Sequence, residues 1–289
     1  MLCGGLGEAF IKSLLKRGDK AIATARQIGS IEHLAALGAA TMQLDVTDSD
    51  AALDEKIKQA WALYGHIDVL VHNAGYGFFG AMEDVSDANL RKNFDTNFFG
   101  VANLTRSITP YFRQQGSGFV VLVSSGTSQV PFPGMSSYCS SKAAAEMLIQ
   151  TYAHEVGPAG IRALVLQPGS FRTGIRDLSK KAGNFVASST HHQGMLSGFT
   201  KLCEDTHDTQ RGDPEKFADL TIELVKCEGI AAGKEVPLCL PVGPDSVPVV
   251  KARLEKQLKL IEEWENLLVN TDLEGQESKV NVLGDMGVK

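Results

Sequence analysis

The chain is poor in basic runs. None exceeds the two residues of Lys180-Lys181, and 28 Lys and Arg stand against 34 Asp and Glu, a formal net charge of −6. A nucleic-acid backbone or an anionic membrane surface therefore finds no basic patch to engage. Long apolar runs are also missing. Phe119–Val123 has strand length, far below the roughly 20 residues of a bilayer span. Cysteines are few: Cys3, Cys139, Cys203, Cys227 and Cys239. Their number is odd and their spacing fits neither a zinc site nor a redox pair, so a reducing, cytoplasmic setting is expected. The opening Met1-Leu-Cys-Gly-Gly-Leu-Gly lacks the charged and apolar regions of a signal peptide. Proline is scarce, 10 residues, while glycine reaches 29 of 289. Glycine without proline or repeats points to backbone turns around ligands more than to low complexity. With 43% apolar and 21% charged residues, the chain can bury a real core, and its length suits one large α/β domain.

Hydrophobic periodicity divides the chain into alternating elements. A glycine loop, Gly4-Gly5-Leu6-Gly7, opens directly into a helix with Phe10, Ile11, Leu14 and Leu15 on one side, stopping at Gly18. Strands are expected at Lys20–Thr24, Thr41–Val46, Ile67–His72, Phe119–Ser124, Ile161–Leu166 and Val236–Leu240. Helices are expected at Ile28–Leu37, Asp48–Leu63, within Asp87–Gln115 as two segments, at Ser137–Val156, from Asp213-Pro214 to Cys227, and over 246–268. Residues 170–212 read as irregular. Alternation with near-continuous apolar strands means a parallel sheet covered on both faces, a doubly wound α/β fold in a single domain. That domain is expected over 1–270, with 170–212 as a substrate loop and 271–289 as a mobile tail.

In such sheets ligands bind beyond the carboxyl ends of the strands, which directs attention to the residues that end them. The glycine loop lets a backbone approach a pyrophosphate at a helix N-terminus. Arg26 closes Ala21-Ile-Ala-Thr-Ala-Arg26, and no Asp or Glu lies between Lys20 and Gln27. An acid there suits the ribose 2′-hydroxyl of NAD, whereas an Arg suits a 2′-phosphate, so NADP is expected. Asp45 could accept from an adenine amino group or simply cap a turn. The small residues of Asn73-Ala74-Gly75 would let the backbone lie against a ribose. Tyr138-Cys-Ser-Ser-Lys142 places phenol and ammonium one turn apart on a helix. A cation there is expected to lower the tyrosine pKa from about 10, making Tyr138 a general acid/base. Ser125 ends a strand thirteen residues upstream, and Asn97 is a polar residue inside an apolar helical pattern.

Taken together, Gly5-Leu6-Gly7, Asn73-Ala74-Gly75, Asn97, Ser125, Tyr138-x-x-x-Lys142 and Pro168-Gly169 stand in the order and spacing of a known family. The sequence resembles the short-chain dehydrogenase/reductases from Gly4 to about Leu268. The runs from Asn73 to Val85 and from Asn93 to Gly100, with Arg211-Gly-Asp-Pro, resemble the NADP-dependent, hydroxysteroid-dehydrogenase-like branch. The resemblance implies a Rossmann fold and an NADPH-dependent reduction of a ketone or aldehyde, or oxidation of the alcohol. It gives Tyr138 the proton, Lys142 the nicotinamide ribose and the tyrosine pKa, and Ser125 the substrate oxygen. Asn97 would hold a relay water behind Lys142, and Thr173 would contact the carboxamide or pyrophosphate end. Substrates of the branch include steroid-like, retinoid and polyketide-type carbonyls, often in secondary metabolism. Phe171, Phe185, Met195 and Phe199 fit an apolar substrate or plain loop packing equally. A homo-oligomer through helices near Asp87–Gln115 and Ser137–Val156 is a further implication. Metal binding at His191-His192 is not expected, since no second ligand pair accompanies it.

One departure stands out. The family pattern begins with a strand and Thr-Gly-x-x-x-Gly-x-Gly; counted back from Gly5 its first glycine falls on Met1. The first strand, central in the order 3-2-1-4-5-6, has no counterpart. Two readings follow: an incomplete start with the strand upstream, which is favoured, or a genuine truncation. Either leaves strands Lys20–Thr24 and Ile67–His72 facing an empty slot, and poor solubility or weak NADPH binding is expected. A different class of function, a non-catalytic NADP-binding regulatory homologue, is favoured by this departure and disfavoured by the presence of Asn97, Ser125, Tyr138 and Lys142.

Overall fold

The computed structural model describes residues 5–173 and 193–269. Strands β1 (Ile22–Ala25), β2 (Ala40–Gln43), β3 (Val69–His72), β4 (Gly118–Val123), β5 (Ile161–Pro168) and β6 (Cys239–Val242) are all parallel. Helices separate them: α1 (Leu6–Lys16), α2 (Glu32–Ala35), α3 (Asp50–Tyr64), α4 (Asp87–Phe94), α5 (Gly100–Gln115), α6 (Ser136–Val156), α7 (Gln193–Thr206), α8 (Pro214–Lys226) and α9 (Ser246–Leu268). This is the doubly wound arrangement that alternating strands and helices require. The described residues up to Val250 form one compact unit, and those from Lys251 onward a second. The expected tail, 271–289, lies outside the described residues.

The apolar run of β4 shows why both faces are covered. Phe119, Val121 and Val123 point into a core built with Phe10 of α1 and Phe217 of α8, while Val120 and Leu122 point into another with Leu53, Ile108, Phe112 and Ile149 from α3, α5 and α6. Phe112 and Ile108 are completely buried. Gly118 begins the strand because a Cβ there would lie 2.3 Å from the Phe112 ring.

The strands pair as two separate groups, β1-β2 and β3-β4-β5-β6. Among the described residues no strand joins β1 to β3. A cavity of about 1000 Å³ lies between them, lined by Ala21, Ala23, Val69 and Val71 along the strands and by Phe10 and Leu104 from the helices. It opens at the carboxyl ends of the strands onto Gly5, Asn73, Ser125 and Tyr138.

Two local expectations need correction. Residues 170–212 are not irregular throughout, since α7 occupies Gln193–Thr206; Gly194 and Gly198 conceal its period, because glycine is a poor helix former. Ile28–Leu37 is not one helix but a 3-10 turn, Ile28–Ser30, followed by the four-residue α2. The two segments expected within Asp87–Gln115 are α4 and α5, joined by a π-helical turn at Asp95–Phe99.

Candidate active site

The carboxyl ends of the strands bring most of the expected residues together. Gly5, with φ of 82°, ends its loop in a conformation that suits glycine and caps α1. A Cβ on Gly5 would sit 3.1 Å from Thr173, and one on Gly7 would sit 2.8 Å from the Asn73 amide nitrogen. The loop therefore lies bare against the β3 end and against Thr173, with the first-turn N–H groups of α1 free of side-chain caps. This is the cradle that a pyrophosphate needs. Leu6, Ala74, Gly75, Pro168 and Gly169 line the same cavity. Ser124, buried beside it, has a hydroxyl with no hydrogen-bond partner among the described residues. Close glycine packing, an anion-suited helix end and an unpaired buried hydroxyl together fit a dinucleotide.

Arg26 and Asp45 stand apart from the cavity lining. Arg26 is exposed just past the end of β1, near enough to Tyr76 to oppose the burial that raises that phenol's pKa. Asp45 accepts from the backbone N–H of Thr47 at 3.0 Å and from its hydroxyl at 2.8 Å, so its carboxylate closes a turn.

Helix α6 carries Tyr138 and Lys142 one turn apart. Gly77 faces the Tyr138 ring, where a Cβ would lie 3.1 Å away. Lys142 is buried; its Nζ donates to the Val123 carbonyl at 2.9 Å and lies 5.9 Å from the Tyr138 ring centroid. Gly75 makes room, since a Cβ there would stand 3.0 Å from that Nζ. The expectation that Lys142 lowers the tyrosine pKa is not met in this state. Burial pushes Tyr138 up to about 12, opposed by its hydrogen bond to Ser125. Burial also pushes Lys142 down to about 8, opposed by Glu146. Desolvation disfavours both charged forms and here exceeds the opposing effects of Ser125 and Glu146. The resting phenol is thus protonated. Ser125 shares a hydrogen bond with the Thr127 hydroxyl at 2.9 Å and accepts from the Thr127 N–H at 3.2 Å.

Asn97 is fully enclosed in the π-helical turn. It accepts from the Tyr76 N–H at 3.1 Å, and donates to the Tyr76 carbonyl at 2.8 Å and to the Ser141 hydroxyl at 2.9 Å. It ties the loop after β3 to α6, and its Oδ1 would lie 3.2 Å from a Cβ on Gly75. The π-bulge, a feature often found at functional sites, aims this amide inward.

Sequence reading missed several buried polar residues here. His72 ends β3 and bonds the Thr105 hydroxyl at 2.9 Å. Glu146, one turn beyond Lys142, is buried and accepts from three side chains. Its only sequence signal is a lone acid at i+4 from Lys142 within an apolar stretch. The Asp245 carboxylate packs against Gly169, whose missing Cβ makes the space, and accepts from the Ser170 N–H at 2.7 Å.

No group of three or more potential metal ligands occurs among the described residues; His191-His192, Phe185 and the rest of 174–192 lie outside them. No described helix is long and apolar enough to cross a membrane.

The chain is similar to known proteins. An oxidoreductase of Botryotinia fuckeliana, BOA17, is 31% identical over 267 residues, covering 91% of this chain and 94% of that protein. The crystal structure of a short-chain dehydrogenase from Streptomyces avermitilis is 32% identical, with a TM-score of 0.81 over 93% of this chain and 95% of that one. A short-chain dehydrogenase/reductase from Burkholderia phymatum, in complex with NAD, shares the fold at 23% identity and a TM-score of 0.73, covering 95% of each chain. A family model described as short chain dehydrogenase matches residues 2–183. With the site residues at the ends of β3, β4 and β5, these matches place the chain in the short-chain dehydrogenase/reductase family of oxidoreductases.

Proposed function

We propose that this chain is an NADPH-dependent carbonyl reductase, interconverting a ketone or aldehyde and its alcohol. The observation that carries the reading is the convergence of Ser125, Tyr138 and Lys142 on the same cavity as the glycine loop. NADPH, when bound, supplies the hydride. Gly5, Leu6 and Gly7 would receive its pyrophosphate at the α1 N-terminus. Asn73, Ala74 and Gly75 would lie along the adenosine side, and Pro168, Gly169 and Thr173 would flank the nicotinamide end. Ser125 would hydrogen-bond the substrate oxygen. A protonated Tyr138 suits reduction, because the phenol can donate to that oxygen as negative charge develops on it. Lys142 then stands close enough to stabilise the phenolate left behind. Asn97 holds α6 in place and would order a water behind Lys142. An apolar substrate, of the steroid-like or polyketide-type class in secondary metabolism, acted on in the cytoplasm by a homo-oligomer, completes the reading, as the family resemblance implies.

Arg26 supports the choice of NADPH. It stands at the end of the second family strand, exposed and able to meet a 2′-phosphate, with no Asp or Glu between Lys20 and Gln27 in the sequence. Asp45, engaged by Thr47, would contribute at most its outer carboxylate edge to the adenine. The test is oxidation of NADPH and of NADH by the purified protein against a panel of apolar ketones and aldehydes. NADPH is expected to be preferred, and Arg26→Ala is expected to reduce that preference at least about tenfold, the loss of one charge-assisted contact of about 1.5–3 kcal/mol. No turnover with any carbonyl, or equal use of NADH by the wild type, refutes the respective part of the reading.

A further inference from the structure

Glu146 is a buried carboxylate, 1% exposed, on the apolar side of α6. Its Oε1 accepts from the Ser128 hydroxyl at 2.5 Å. Its Oε2 accepts from the Gln129 amide and the Gln167 amide, each at 2.9 Å. The donors come from two places. Ser128 and Gln129 follow Ser125, and the Ser128 hydroxyl also reaches the Ser125 carbonyl at 2.7 Å. Gln167 immediately precedes Pro168-Gly169, and its carbonyl accepts from Ser246 at 2.8 Å. Lys142 and Cys239 are the titratable groups that feel the charge of Glu146.

We propose that Glu146 is a positioning residue that locks the Ser125 loop and the Pro168-Gly169 turn to the helix carrying Tyr138 and Lys142. The inference rests on the carbonyl-reductase reading and deepens it. Two loops that leave neighbouring strands, one facing the substrate oxygen and one facing the nicotinamide, are registered to the proton donor through one acceptor. A carboxylate suits this place because it has two oxygens and no donor of its own. An apolar replacement leaves the buried Gln167 donor and the half-buried Gln129 donor without this partner, and they must turn elsewhere, taking their loops with them. Displacement of about 1 Å between reacting groups can cost on the order of a hundredfold in rate.

The network also predicts its own rescue. In Glu146→Gln the amide oxygen can keep Gln129 and Gln167, while the amide nitrogen donates to Ser128, whose hydroxyl remains free to donate to the Ser125 carbonyl. The experiment compares wild type, Glu146→Leu, Glu146→Gln, Ser128→Ala and Gln167→Met for kcat, KM for NADPH and thermal midpoint. Glu146→Leu is expected to lose about ten- to a hundredfold in kcat and to raise KM for NADPH several-fold. Glu146→Gln should keep at least half of wild-type kcat. Ser128→Ala, which removes one of the two substrate-side bonds to Glu146 and the bond to the Ser125 carbonyl, should lower kcat with KM for NADPH unchanged. Gln167→Met, which cuts only the cofactor-side arm, should raise that KM. If Glu146→Leu does not fold, the two single-arm variants carry the same test.

Wild-type kinetics in Glu146→Leu, or single-arm variants that shift the thermal midpoint while leaving both kinetic constants alone, would overturn the proposal. So would a Glu146→Gln protein as impaired as Glu146→Leu. Wild-type turnover that Tyr138→Phe abolishes upholds the reductase reading whatever Glu146 shows. If the wild type turns over no carbonyl, that reading fails by itself, and the clamp is judged on NADPH binding. Weaker binding in Glu146→Leu and Gln167→Met supports it, and unchanged binding overturns it.

Discussion

Tyr138→Phe is expected to fold and bind NADPH as the wild type does and to lose about 10²- to 10⁴-fold of kcat for carbonyl reduction, the range assigned to a positioned general acid. The ring itself packs against Gly77, so removal of one oxygen leaves that contact and the helix intact. What disappears is the proton. Burial holds the phenol at about 12, so in the resting protein it is a donor at every physiological pH, and the rate of reduction should not fall as pH drops from 8 to 6 through loss of a phenolate. Steady-state kinetics of the two proteins, with NADPH affinity measured by nucleotide fluorescence, check the result. Equal kcat in the presence of equal binding would remove Tyr138 from the chemistry and leave a dinucleotide-binding protein without catalysis.

The second large effect concerns stability in acid. His72 is 5% exposed, bonded to Thr105 and close to Lys142. Burial first, and the Lys142 charge second, bring its pKa down from 6.5 to about 3. The folded protein therefore binds fewer protons than the unfolded chain between those values. Stability from this residue is present in full above about pH 6.5 and is lost as pH falls towards 3, with a slope of about 1.4 kcal/mol per pH unit. Between pH 6.5 and 4.5 the expected loss is about 2–3 kcal/mol, a substantial part of the roughly 5–15 kcal/mol that holds a typical protein folded. His72→Gln keeps an amide that can bond the Thr105 hydroxyl but cannot titrate. Its urea-unfolding free energy should change less across that interval than that of the wild type. An identical loss in both proteins would show that His72 carries none of the acid sensitivity.

Much of this site was readable because its parts obey simple spacing rules. Tyr138 and Lys142 are one helical turn apart, and a parallel sheet gathers the ends of its strands, so Asn73–Gly75, Ser125 and Pro168-Gly169 could be set beside the glycine loop without any coordinates. Boundaries drifted where local signals were weak: β1 ends at Ala25, and β6 begins at Cys239 where Val236 was expected. The protonation of Tyr138 was misjudged because a sequence shows a neighbouring cation but not how much water surrounds the pair. Glu146, Gln167 and Ser128 were passed over because each looks ordinary alone. Their contacts span 18 and 21 residues and exist only once α6, β5 and the loop after β4 have been packed.

The division of the sheet has a consequence for how the molecule breathes. Among the described residues strand β1 is hydrogen-bonded only to β2, and β3 only to β4, so no described strand shields their amides on the cavity side. Hydrogen exchange should therefore sort the backbone into two classes. The amides of β4 and β5, paired on both edges, would exchange only through the largest openings of the fold. Half of those in β1 would exchange through small local fluctuations. The β1–β2 ribbon is then a separate cooperative unit, held to the rest by side chains such as Ile11 and Leu15 of α1. A dinucleotide lying across the glycine loop would touch both units and slow exchange in the ribbon most.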